Sequence, residues 1–161
     1  MLNQTPYEPT LIDILYYNTP AACANISGNA ENPSLTGTAL FYPAFDGTLI
    51  AVEVYQLPVN ENDENSFYGM HIHETGDCTP PFEETGNHYN PSDMPHPLHA
   101  GDLPPLLGNQ GYAFSIFFTS RFQVQDILNR SLIIHSAPDD FTTQPSGNSG
   151  TKIGCGIILP V

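Results

Sequence analysis

Short runs of alternating apolar and polar residues dominate the chain and predict strands. In the segment TGTALFYPAFDGTLIAVEVYQL (36–57), Ile50, Val52 and Val54 alternate with Ala51, Glu53 and Tyr55. This period of two is typical of a β-strand. Asp46–Gly47 divides the segment, and an Asp-Gly pair is a strong hairpin signal. The segment therefore predicts two strands around a turn.

Four other segments have strand character: AACANIS, GYAFSIFFTSRF (111–122), RSLIIHS (130–136) and TKIGCGIIL (151–159). In the second of these, Phe114, Ile116 and Phe118 share one face. Only VQDILNR (124–130) looks helical, and 16 prolines and 13 glycines interrupt the rest of the chain. Several short strands between turn residues, with almost no helix, predict an all-β fold, an antiparallel sandwich or barrel.

Two polar segments do not fit as strands. Residues 74–110 are rich in Pro, Gly, Asn and His, and residues 136–150 read SAPDDFTTQPSGNSG. Long loops in a compact domain are usually functional or disordered. Because these two contain or border most of the histidines, we expect both to be functional loops of one domain covering residues 1–161, with residues 1–20 as an extension of unclear role.

The charge of the chain excludes some partners. Seventeen acidic residues stand against Arg121, Arg130 and Lys152, which gives a net charge of −14. Such a surface repels nucleic acid and anionic membranes, and no apolar run approaches the ~20 residues that span a bilayer. The first residues lack the features of a signal peptide. We therefore expect a cytoplasmic protein, or an exported one whose leader has been removed.

Three cysteines, Cys23, Cys78 and Cys155, are too few for a small disulfide-stapled domain. One disulfide plus one free thiol is the simplest arrangement, and three buried thiols are an equally good interpretation.

All six histidines lie between residues 71 and 135. On a strand, His71 and His73 would lie on one face about 6.6 Å apart, and His135 at the end of RSLIIHS would supply a third imidazole. In the loop HPLHAGD, His96, His99 and Asp102 form a partial zinc site that lacks one ligand.

His88 completes both sets of ligands if it serves two metals as an imidazolate, because two divalent cations can displace its second proton. An all-imidazole site of His71, His73, His88 and His135 suits Cu(II). A site of three histidines and one aspartate, His88, His96, His99 and Asp102, suits zinc.

With these motifs the sequence resembles the copper-zinc superoxide dismutases. The matching segments are GMHIHETGDC (69–78), GNHYNP (86–91), HPLHAGDLP (96–104), IIHSAPDD (133–140) and GNSGTKIGCGII (147–158), and SLTGTALFY extends the likeness toward the N-terminus. The resemblance implies a Greek-key β-barrel, copper and zinc in the two sites above, and His88 as the bridge and as a catalytic proton donor. It also implies that the substrate is the superoxide anion, and it suggests a homodimer.

The same resemblance implies a disulfide between Cys78 and Cys155, which anchors the long loop to the last strand. It implies that Asp139 links a copper histidine, His71, to a zinc histidine, His96, and such outer carboxylates fix the orientation of ligand rings. At the catalytic position beside copper, where the family has arginine, this chain has Lys152. Since lysine is a mobile point charge without arginine's planar fork, we expect weaker positioning of a bound anion and a slower enzyme.

Two other classes of function stay open. A non-catalytic metal-binding module, such as a copper carrier or a zinc-stabilised interaction domain, would keep the zinc group without copper ligands or access to copper. A zinc hydrolase could use Glu74, Glu83 or Glu84 as a general base, but it needs an open coordination position that a zinc site with four protein ligands lacks.

Overall fold

A computed structural model describes residues 9–59 and 65–161, and a curled, seven-stranded antiparallel sheet is its main feature. The strands are β1 (Ala22–Gly28), β2 (Thr36–Ala44), β3 (Gly47–Tyr55), β4 (Asn65–Tyr68), β5 (Met70–His73), β6 (Leu106–Asn109), β7 (Ala113–Thr119), β8 (Ser131–His135) and β9 (Lys152–Pro160). The main sheet has the order β5-β8-β9-β1-β2-β3-β7, and β4 pairs with β6. The predicted all-β fold is confirmed.

The hairpin predicted around Asp46–Gly47 is present. β2 and β3 pair from Thr36 opposite Tyr55 to Ala44 opposite Gly47. Ile50, Val52 and Val54 are fully buried, so the alternation in the sequence marks the inner face of the sheet. This face packs into a core shared with β1, β5, β8 and β9.

The prediction that only residues 124–130 are helical was wrong. Leu11–Tyr17 forms an α-helix, α1, which begins with a capping box between Thr10 and Asp13. It buries Ile14 against Tyr42 of β2. Residues 124–130 contain only a four-residue 3-10 turn, Val124–Ile127. In the described part of the chain, none of the helices has the length and apolar character that crossing a bilayer requires.

Two strand boundaries differ from the sequence expectation. The long polar segment ends earlier than residue 110, because Leu106–Asn109 is a strand. β7 occupies only seven residues of the predicted 111–122. The face that carries Phe114 and Ile116 points outward, since these side chains are 57% and 41% exposed.

Candidate metal centre

The edge strand β5 turns two histidines away from the core. Met70 and Ile72 are buried in the core, so the period of two places His71 and His73 on the opposite face of the strand. β8 pairs with β5 and ends at His135, which is buried beside them. The sheet therefore brings three imidazoles together.

The loop of residues 74–105 covers the free edge of β5. The Ile72 N–H donates to the Gly101 carbonyl at 2.9 Å, and the Ile72 carbonyl accepts from the Tyr89 N–H at 2.7 Å. These bonds set His88 opposite His73 and Asp102 opposite His71. A loop that completes the backbone pairing of β5 thus delivers residues distant in sequence to the strand's histidines.

Two groups of side chains result, and His88 belongs to both. The first group is His71, His73, His88 and His135, and the second is His88, His96, His99 and Asp102. Within each group the candidate ligand atoms lie within 4.8 Å of one another, and all members are buried.

In the first group, Nε2 of His73 lies 3.4 Å from Nε2 of His135. The rings of His71 and His88 are stacked with their centroids 3.8 Å apart. In the second group, Asp102 Oδ1 lies 2.8 Å from His88 Nδ1 and 3.3 Å from His99 Nδ1. Asp102 Oδ2 lies 3.2 Å from His96 Nδ1.

Asp139 joins the two groups through its two carboxylate oxygens. Oδ2 lies 2.7 Å from His71 Nε2, and Oδ1 lies 2.9 Å from His96 Nε2. Both rings are thereby oriented with their other nitrogen, Nδ1, toward the interior of the groups. An outer carboxylate that fixes a ligand ring in this way is typical of metal sites.

The buried nitrogen atoms fit bound metals. Among the described residues, His71 Nδ1, His88 Nε2 and His96 Nδ1 are buried side-chain atoms without a hydrogen-bond partner. A buried polar atom without a partner costs about 1–3 kcal/mol, and a metal ligand bond removes that cost. Imidazole nitrogen and carboxylate oxygen are suitable ligands for copper and zinc.

The protonation states also suit metal binding. Desolvation lowers the pKa of His73 to about 2 and that of His135 to about 3, so both rings are neutral near pH 7. Burial alone would raise the pKa of Asp102, but the hydrogen bond with His88 and the charges of nearby histidines outweigh it and lower that pKa. Neutral imidazoles and an ionised carboxylate are the forms that bind metal.

The Cys78–Cys155 disulfide implied by the resemblance is present, and Cys23 is a free, half-buried cysteine. The disulfide ties residue 78 of the loop to β9. Cys155 lies in a buried cluster with Phe82 and Ile133, so the loop is anchored close to the strand that carries His135.

Lys152 lies at the mouth of the first group. It lines a cavity of about 640 Å³ together with His73, His88 and His135. Its ammonium donates to the carbonyls of Phe82 (3.2 Å) and Gly86 (3.3 Å) and to the Thr85 hydroxyl (2.9 Å). The lysine is therefore held by the loop, whereas the sequence predicted a mobile charge.

Two supporting residues were missed in the sequence. Gln144 accepts from the His96 N–H at 3.0 Å and donates to the His96 carbonyl at 2.7 Å. Gly147 has φ +67° and lies directly against Asp139 and His96, so that a Cβ there would overlap both side chains. A loop glutamine or glycine carries no local signal of such a role, because its partners are distant in sequence.

The sequence is similar to known proteins across most of its length. A family described as copper/zinc superoxide dismutase matches residues 35–158. The protein named Superoxide dismutase [Cu-Zn] of Deinococcus radiodurans is 35% identical in an alignment of 153 positions that covers 81% of each chain. Superoxide dismutase [Cu-Zn] 2 of Aquifex aeolicus is 34% identical in an alignment of 138 positions that covers 76% of this chain and 78% of the relative. A superoxide dismutase-like protein of Bacillus subtilis is 39% identical in an alignment of 107 positions that covers 56% of this chain and 55% of the relative.

Proposed function

The chain belongs to the copper/zinc superoxide dismutase family, and from this membership we propose that it converts superoxide into dioxygen and hydrogen peroxide. Two superoxide anions and two protons give one molecule of each product. The observation that carries the proposal is the pair of buried ligand groups that share His88. One group has the all-imidazole character that suits Cu(II), and the other has the mixed character that suits zinc.

The proposed ligand atoms follow from the contacts of each ring. Copper would be held by Nδ1 of His71 and by Nε2 of His73, His88 and His135. Zinc would be held by Nδ1 of His88, His96 and His99 and by the Asp102 carboxylate. When bound, copper supplies one-electron exchange with superoxide, and zinc supplies a fixed positive charge without redox chemistry.

His88 is the proposed bridge and proton carrier. Its Nδ1 faces Asp102 at 2.8 Å, and its buried Nε2 has no hydrogen-bond partner among the described residues. With both metals bound, each nitrogen of the His88 ring would face one cation, and two adjacent divalent cations would stabilise the ring without its second proton. In turnover, Nε2 would take up one proton and deliver it to the peroxide product, whose second proton would come from solvent, while contacts at Nδ1 hold the ring in place.

Lys152 contributes positive charge at the mouth of the copper group. An ammonium group has three N–H donors, and the three loop contacts of Lys152 account for that number. We therefore assign Lys152 a general attraction for the anion and a role in fixing the loop around Gly86. Firm hydrogen bonding to superoxide would require it to release loop contacts.

A metal-binding module without catalysis is the second candidate function. The contacts of Lys152 with the loop favour it, because they occupy the ammonium group. Among the described residues that line the cavity, no other lysine or arginine is present to bind an anion. The acids Glu74, Glu83 and Asp93 also line this mouth. Because the first group is complete, such a protein would here bind both metals and show no turnover.

The test is superoxide disproportionation by the full chain loaded with copper and zinc. We expect activity in the wild type, and its loss in His135→Asn with zinc still bound, because His135 belongs only to the first group. Lys152→Arg should raise the rate, since arginine has five donors and can bind the anion and the loop together. Binding of both metals without activity would favour the second candidate, and failure to bind copper would refute the first.

The expected partners follow from charge and family. We propose that the net charge of −14 keeps the protein from nucleic acid, because phosphate backbones repel an acidic surface. A homodimer is proposed from the family alone, and sedimentation of the metal-loaded protein would test it.

A further inference from the structure

All three cationic side chains of this acidic protein bind the loop of residues 74–105. Lys152 contacts the segment around residues 82–86, as described above. Arg130 donates from Nη1 to the Glu74 carbonyl at 2.8 Å and lies 3.8 Å over the Tyr89 ring. Arg121 contacts the remaining part of the loop, where most of the zinc group lies.

The Arg121 guanidinium gathers three carbonyl oxygens at one nitrogen. Its Nη1 donates to the carbonyls of Pro97 at 3.2 Å, His99 at 3.1 Å and Asp102 at 3.2 Å. These three residues span the short segment 97–102. Two of the four proposed zinc ligands, His99 and Asp102, lie in this segment, and another, His96, directly precedes it. Three carbonyl dipoles that converge on one point repel each other unless a cation lies between them.

The guanidinium is itself attached to a rigid part of the fold. Arg121 follows β7, and its N–H donates to the Thr119 hydroxyl at 3.2 Å. The next residue, Phe122, is buried in the core, and its carbonyl accepts from the Thr48 hydroxyl at 3.1 Å. The backbone on both sides of Arg121 is therefore fixed, and the carbonyls of the loop are held relative to the sheet.

We propose that Arg121 is a positioning residue for the zinc group, which sets zinc affinity by holding the turn of residues 97–102 in its binding conformation. The inference rests on the proposed function, because it assigns zinc to His88, His96, His99 and Asp102. Arg121 contacts the backbone carbonyls of Pro97, His99 and Asp102. It therefore acts on zinc binding by fixing the backbone that carries the ligand side chains. Of the proposed copper ligands only His88 belongs to the zinc group, so copper affinity should depend little on Arg121.

The experiment compares Arg121→Gln and Arg121→Lys with the matched control Arg130→Gln in the full chain. Zinc and copper affinities are measured separately by competition with chelators, and the visible absorption of cobalt(II) reports the geometry of the zinc group. Arg121→Gln should lower zinc affinity by roughly 10–100-fold, the usual effect of losing an outer-shell partner. It should also change the cobalt spectrum while copper affinity stays near the wild-type value.

Arg121→Lys should recover part of the zinc affinity, because lysine keeps the charge but lacks the planar fork. Arg130→Gln should leave the ratio of zinc to copper affinity unchanged, since Arg130 contacts Glu74 and Tyr89, and the neighbour of Tyr89, His88, belongs to both groups. Unchanged zinc affinity in Arg121→Gln, or an equal loss for both metals, would overturn the inference. If the circular dichroism spectrum of Arg121→Gln differs from that of the wild type, the variant is misfolded, and Arg121→Lys is used instead. A ratio of zinc to copper affinity below the wild-type value in Arg121→Lys would support the inference, and an unchanged ratio would overturn it. A wild type that binds neither zinc nor cobalt would instead refute the proposed function.

Discussion

At the scale of single residues, Asp139 connects the two halves of the centre. One oxygen binds His71 and the other binds His96, so each ring is fixed by the nitrogen that does not face a metal group. Three polar partners lower the pKa of Asp139, although burial opposes them; these are His71, the Phe141 N–H and His96. The carboxylate is therefore ionised near pH 7 and accepts both imidazole hydrogens.

This arrangement needs a residue without a side chain at position 147. In Gly147→Ala the new Cβ would overlap Asp139 and His96, so we expect Asp139 to move and zinc affinity to fall by about 10-fold or more. Chelator competition measures this change.

Gly111→Ala is the matched control, because Gly111 also has a positive φ (+85°) but lies near Leu57 and Val59. Both variants should lose about 1 kcal/mol of unfolding free energy from backbone strain. Equal zinc affinities in the two variants would show that the space beside Asp139 is unimportant.

At the scale of elements, the loop of residues 74–105 behaves as an addition to the edge of the sheet. Backbone bonds attach it to Ile72, and the Cys78–Cys155 disulfide attaches it to β9. Phe82 is buried beside Cys155 and Ile133. The position of His88 relative to the strands thus depends on several separate attachments.

Replacing Cys78 and Cys155 together by alanine should lower the unfolding free energy by roughly 4 kcal/mol, as expected for a disulfide that closes a long loop. The sequence separation of the two cysteines is 77 residues. Urea unfolding of the metal-free protein measures the effect. Cys23→Ala is the control, since Cys23 is free, and a similar loss in the control would contradict the assignment.

At the scale of the whole molecule, the charge opposes the proposed substrate. The net charge is −14, and Glu74, Glu83 and Asp93 line the cavity mouth with Lys152. At physiological salt the Debye length is about 8 Å, so the acids at the mouth matter more than distant ones.

We expect the rate of superoxide disproportionation to rise as ionic strength increases, because salt screens this repulsion. Glu83→Gln should raise the low-salt rate by about a factor of two, the effect of a unit charge at roughly 10 Å in water. Glu53→Gln, a change on β3 outside the cavity, is the control. A rate that falls steeply with salt would show attraction instead of repulsion.

The metal-free protein should lose stability as the pH falls below about 6.5. Burial lowers the pKa of His73 to about 2 and of His135 to about 3, whereas both rings titrate near 6.5 in the unfolded chain. Below that value the unfolded state binds more protons, so each ring removes roughly 1.4 kcal/mol of unfolding free energy per pH unit.

Urea unfolding of the metal-free protein between pH 7 and pH 5 tests this dependence. The double variant His73→Asn/His135→Asn should show a shallower slope. An equally steep slope in that variant would mean that other groups cause the effect.

The local sequence pattern predicted a strand and a hairpin correctly, because both depend on residues that are close together in the chain. The alternation of Ile50, Val52 and Val54 marked an inner face, and Asp46–Gly47 marked the hairpin, because side-chain direction and turn preference act over a few residues. Helix α1 was missed although its capping box lies within four residues, Thr10 to Asp13. A helix of seven residues has little periodicity to detect, and its packing against Tyr42 stabilises it.

The residue types of the metal centre could be predicted without the structure, since six histidines within residues 71–135 indicated metal chemistry and their motifs indicated the family. The contacts that support these side chains could be seen only in the folded chain. Arg121 reaches the segment 97–102, Gly147 makes room for Asp139, and Lys152 is tied to the loop. These contacts join residues far apart in the chain, so no local preference encodes them; they form only when the loop closes over the edge of β5.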